Sequence, residues 1–105
     1  MSGRVRVHVW GDEGAPPVFL LHCTLAHGGA WKRLARRLSD RFRLIAPDMV
    51  GHGDGPAGDR SGDYHDQTTA HALACLPEGP VHLIGHSFGA TVALRMAIER
   101  PAQVA

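Results

Sequence analysis

Cysteine is scarce in this chain: Cys23 and Cys75 are the only two in 105 residues. Two cysteines cannot build a disulfide framework, and a reduced, intracellular state is the simpler expectation. An excess of one charge sign is also missing. Eleven basic residues stand against ten acidic ones, a net charge of +1. No strong field is implied toward nucleic acid or a membrane surface. No apolar run approaches ~20 residues, so no membrane-spanning helix is expected. The opening "MSGRVRVHVWGDEG" has no apolar core of the kind a signal peptide needs, which points to the cytoplasm. Short-range metal motifs are absent as well. Despite eight histidines there is no His-x-His, no His-Glu-x-x-His and no Cys-x-x-Cys, so neither a metal site nor a cofactor is expected.

What is present suits one small domain, and a hydrophobic fraction of 44% argues against disorder. In "RVRVHVW", residues 4–10, Val5, Val7 and Val9 alternate with Arg4, Arg6 and His8. That predicts a half-buried strand with the basic side wet. "VFLLHC", 18–23, is too short for a helix and predicts a strand buried on both faces. Residues 42–47 and 81–85 predict two further strands. Trp31, Leu34, Ala35 and Leu38 recur at helical spacing opposite Lys32, Arg33, Arg36 and Arg37, predicting an amphipathic helix over 30–39. Its basic side is read as a solvated face, not a nucleic-acid site. A second helix is expected over 64–76, with Ala70, Leu73, Ala74 and Leu76 inward. A third, over 88–100, is apolar nearly all round and is expected to be deeply buried. Strands alternating with helices imply an α/β architecture with a mostly parallel sheet and flanking helices.

Residues 85–89 read "GHSFG". The string follows an apolar strand and opens an apolar helix. This is the setting of a nucleophile elbow, in which a strained turn pushes a serine hydroxyl out above the sheet. Gly85 and Gly89 flank Ser87 where side chains would collide with the turn. The helix N-terminus behind the serine favours negative charge on a reacting oxygen. The competing reading is a serine that simply caps an ordinary helix.

Four segments in order, "PPVFLLHC", "AW" at Ala30 and Trp31, "IAPDMVGHGDG" and "VHLIGHSFGATVALRMAIERP", resemble the α/β-hydrolase fold family. The resemblance implies roles by position. Ser87 would be the nucleophile toward an ester, thioester or related acyl bond of a small molecule. The backbone N–H groups of Phe88 and Thr24 would form the oxyanion hole. His22 and His86, with Gly85 and Gly89, would support the site, and Leu25 and Phe88 would border the substrate pocket. His52 would brace a loop; His27, His65 and His71 are expected at the surface or in loops. Cys23 stands where the family usually has glycine, which would strain any positive φ there. Ala90 replaces another frequent glycine.

The family takes its acid and histidine from later in the chain, in the order Ser, Asp or Glu, His. After Ser87 the only acid is Glu99, far along the helix, and there is no histidine. The expectation is the N-terminal part of a longer hydrolase, truncated before the later strands and inactive alone. Strand 18–23 should then lie between 42–47 and 81–85, leaving 81–85 as an exposed edge open to self-association. A cofactor-free perhydrolase or carbon–carbon bond hydrolase of the same fold, or a non-catalytic remnant, are the alternatives.

Overall fold

The computed structural model describes residues 7–105. Strands β1 (Val7–Trp10), β2 (Pro17–Leu21), β3 (Arg43–Pro47) and β4 (His82–Gly85) form one sheet in the order β1-β3-β2-β4. β2 runs parallel to both β3 and β4, and β1 is antiparallel to β3. The expected central place of the second strand is what is observed. Arg4, Val5 and Arg6 of the expected first strand lie outside the described residues.

β2 is buried on both faces and divides the core in two. Phe19 and Leu21 join Ile45, Met49, Ala72, Val81, Val92 and Met96 beneath α2 (Tyr64–Ala74) and α3 (Phe88–Glu99). Val18 and Leu20 join Ala35, Leu44 and Ala46 beneath α1 (Lys32–Leu38). Each fully buried Val, Leu, Ile, Phe or Met side chain among them contributes roughly 1.5–3 kcal/mol. α1 is entered through a 3-10 turn, Gly28–Trp31, so the first helical segment starts earlier than periodicity suggests. α2 is capped by Asp63, whose carboxylate accepts the Asp66 N–H at 2.9 Å. α3 ends at Glu99 because Arg100 precedes Pro101, and a residue before proline disfavours the helical region.

Three expectations from periodicity fail. β1 is turned over: Val7 and Val9 are exposed, Val9 at 48%, while His8 and Trp10 face inward. The valine side is not covered because β1 is the edge strand and α3 packs on β2 and β4. The other side receives Trp10 against the second core cluster and His8 against the buried Asp48. In α2 the fully buried residues are Thr68, Thr69 and Ala72, not Ala70 and Ala74; Leu73 and Leu76 pack partly against the core. Small side chains let α2 approach its neighbours closely, and apolarity alone did not mark that face. α3 is not buried all round. Val92 and Met96 are buried, but Leu94 is 68% exposed and Ile98 78%. With β4 at the sheet edge, that flank of α3 has no neighbouring element among the described residues. Val104 bridges Val81 in parallel along the same edge.

Candidate active site at the serine corner

Ser87 links the end of β4 to the start of α3 with φ 55° and ψ −117°. A non-glycine residue in this region is strained, and such strain concentrates at functional sites. Ser87 occupies the cap position of α3, yet its side chain makes no cap hydrogen bond. The helix-cap reading therefore lacks the bond that defines it. Backbone bonds tie the corner down: His86 N–H donates to the Leu21 carbonyl at 3.1 Å, and Gly89 and Ala90 N–H donate to the His86 and Ser87 carbonyls, both at 2.9 Å.

The two glycines are required by close approach. A Cβ on Gly89 would run into the Leu21 carbonyl oxygen, where α3 crosses β2. A Cβ on Gly85 would lie 2.6 Å from the Ala90 nitrogen. Phe88, the first residue of α3, contributes one of the helix N-terminal amides that have no intrahelical carbonyl to bond.

Facing the corner is the loop after β2. His22 ends the strand almost fully buried. Its Nδ1–H donates to the Cys23 carbonyl at 2.8 Å, and its Nε2 accepts the Met49 N–H at 3.0 Å. Burial holds the His22 pKa below the ordinary histidine value, with the nearby His52 acting in the same direction. His52 Nε2 accepts the Leu25 N–H at 2.9 Å, and its Nδ1–H donates to the Val50 carbonyl at 3.0 Å. Tyr64 Oη–H reaches the same carbonyl at 2.6 Å, joining α2 to this loop. Both ring nitrogens of His22 and of His52 are thus engaged by backbone groups, and neither ring is poised to take a proton from Ser87.

Asp48, at the end of β3, is the hub of the next loop. Its Oδ1 accepts from Gly28 N–H at 2.7 Å and from His8 Nε2–H at 3.1 Å, and its Oδ2 accepts from Asp54 N–H at 2.9 Å. Burial pushes this carboxyl pKa up, but the Asp54 and Gly28 amides together with His8 outweigh it and hold the group below the usual carboxylate range.

Several residues sit differently from expectation. Cys23 is not in the left-handed region. The strain falls instead on Leu25, at φ 68°, whose side chain is 93% exposed on the loop crest. The Leu25 amide is taken by His52, while Thr24 stands exposed beside it. A cavity of about 120 Å³ opens between loop and corner, lined by His22, Cys23, Ala26, Ala30, Trp31 and His86; Leu25 and Phe88 are not in its wall. Trp31 buries its indole N–H without a partner. Phe88 packs instead against the rings of Tyr64 and His65. His65 and His71 lie on α2, where a helix was expected, and both are half-buried: His65 meets Thr91 at 3.1 Å, and His71 Nε2–H donates to the Asp48 carbonyl at 2.9 Å. Sequence reasoning put His8 on the side of the first strand opposite the valines and missed its pairing, because its partner Asp48 is far away in the chain.

A family model described as alpha/beta hydrolase fold matches residues 16–105. Lipase LipV of Mycobacterium tuberculosis is 38% identical over 102 residues, covering 96% of this chain and 39% of that protein. A pimeloyl-(acyl-carrier protein) methyl ester esterase of Methylococcus capsulatus is 39% identical over 90 residues, covering 86% of this chain and 34% of that protein. Among solved structures, the thioesterase domain from the curacin biosynthetic pathway superposes with a TM-score of 0.85 at 30% identity, covering 95% of this chain and 39% of that one. The chain thus spans well under half the length of each.

Proposed function

The chain belongs to the α/β-hydrolase fold family, and from that premise we propose that Ser87 is the nucleophile of a serine hydrolase acting on an ester, thioester or related acyl bond. One observation carries the reading: Ser87 is held at φ 55° at the N-terminus of α3, and its hydroxyl is not spent on capping. In the proposed reaction Ser87 Oγ adds to the acyl carbon and its proton passes to a histidine. The Phe88 N–H and the Thr24 N–H bind the oxygen that becomes negative. A fixed donor of this kind is worth about 3–4 kcal/mol in the transition state. The α3 dipole adds to it in the same direction.

Glu99 is bonded to Arg95 at the far end of α3. The proposal therefore places the triad acid and base in chain beyond residue 105, which packs along β4 where Val104 already pairs with Val81. The named esters and thioesters of the similar proteins support an acyl substrate. The uncovered flank of α3 around Leu94 and Ile98 is the surface such chain would cover. Where it is left bare it favours self-association, to be read by sedimentation of Leu94→Lys/Ile98→Lys against the parent.

A fluorophosphonate probe tests the nucleophile. The expected result is one label per molecule on the full-length protein, absent from Ser87→Ala, with far slower labelling of the 105-residue chain alone. Label that persists in Ser87→Ala overturns the assignment.

A further inference from the structure

The geometry assigns a second site, whose cavity shares no lining residue with the one at the serine corner: we infer that His8, His27 and Asp48 together take one divalent transition-metal ion, of the Zn²⁺, Co²⁺ or Ni²⁺ kind. The three residues come from β1, the loop after β2 and the end of β3, and one ligand atom of each lies within 4.8 Å of the others. Two imidazoles and a carboxylate are the donor set that such ions prefer over Mg²⁺ or Ca²⁺. Metal–ligand bonds of about 2.1 Å in a tetrahedron put the ligand atoms about 3.4 Å apart. His8 Nε2 and Asp48 Oδ1 already lie 3.1 Å apart, so the remaining approach falls to the exposed His27.

The cluster is built as a site and not as a chance surface grouping. Asp48 is buried and fixed by the Gly28 and Asp54 amides. The His8 ring stacks on Trp10, with centroids 5.9 Å apart and planes at 12°. Two ligands are therefore held in place, while His27 is exposed and accepts the Gly29 N–H. A cavity of about 280 Å³ opens here, lined by His8, His27, Asp48, Gly53 and Asp54. The surrounding backbone leaves it room: a Cβ on Gly28 would strike the His8 ring, one on Gly29 the His27 ring, and one on Gly53 the Asp48 carboxylate. Three protein ligands leave a fourth position for water.

Capture has a local cost. His8 moves its ring proton from Nε2 to Nδ1. The ion in return ties β1 to both loops that flank the cavity, adding a constraint the folded chain has and the unfolded chain lacks.

Isothermal titration of the folded 105-residue chain with ZnCl₂, its fold followed by circular dichroism, tests the site. Two variants preserve local bonds while removing one imidazole each. His8→Gln keeps a donor toward Asp48, and His27→Asn keeps an acceptor for the Gly29 N–H. The expected result is one ion per chain, bound at least about tenfold more weakly by either variant, and unchanged in His82→Gln on exposed β4. Zn²⁺ should also raise the melting temperature of the parent chain more than that of either variant. No binding by the folded chain at millimolar Zn²⁺ overturns the assignment. Equal affinity in the parent and both variants overturns it too, since the ion would then sit on other histidines.

Discussion

The serine corner and the loops facing it are fixed by different means. At the corner the backbone does the work: a strained Ser87, two glycines and main-chain bonds to β2. In the loops after β2 and β3, side chains do it. His22, Asp48 and His52 carry six backbone groups between them: the N–H groups of Gly28, Met49, Leu25 and Asp54 and the carbonyls of Cys23 and Val50. A corner built from backbone tolerates no added atom. A loop built on side chains tolerates volume changes but not the loss of a polar partner.

Substitutions that separate these two modes should fall in a definite order. Gly89→Ala should have the largest effect. Helix propensity alone predicts a gain of about 1 kcal/mol, whereas the collision with the Leu21 carbonyl predicts a loss of about 3 kcal/mol. A urea midpoint above that of the parent would break the account of the corner. Asp48→Ala comes next, with a loss of about 2–3 kcal/mol by the same measurement, because it leaves the buried Gly28 N–H without its acceptor.

The third test is pH. His22 is held neutral in the fold, with a pKa below its unfolded value of about 6.5. His52, Asp48 and His27 are the charged or titratable groups acting on it. The folded state binds fewer protons than the unfolded state below that pH, so this contribution is complete above it and declines as pH falls beneath it. The loss is at most about 1.4 kcal/mol for the first pH unit. His22→Gln should flatten the slope; an unchanged slope would place the titration elsewhere. The smallest effect belongs to His52→Ala, about 1 kcal/mol, because the Leu25 N–H it releases is exposed to water. Amide exchange at Leu25 should rise while that at Phe88 and Gly89 stays as it was. Equal acceleration at both would mean the loop and the corner are one unit.

The corner was legible in sequence because its causes lie within five residues: two glycines and a serine between an apolar strand and an apolar helix. The order of the central strands was legible because continuous apolar runs mark strands covered on both faces. The orientation of β1 was not. Alternation marks two faces without saying which one has a neighbour, and the valine face is the one left uncovered. The inner face of α2 escaped for a related reason, since Thr68, Thr69 and Ala72 are buried by closeness of approach and not by apolarity.

The sequence by itself determined the elements, their class and the strained serine, since each depends on propensity, period and local sterics. Only the tertiary structure decided which histidines meet which backbone groups, and that His8, His27 and Asp48 share one cavity. Those contacts join residues far apart in the chain, brought together by the β1–β3 pairing and the turn that enters α1. A side chain's chemistry can be read from its letter, but its partner is set by the fold.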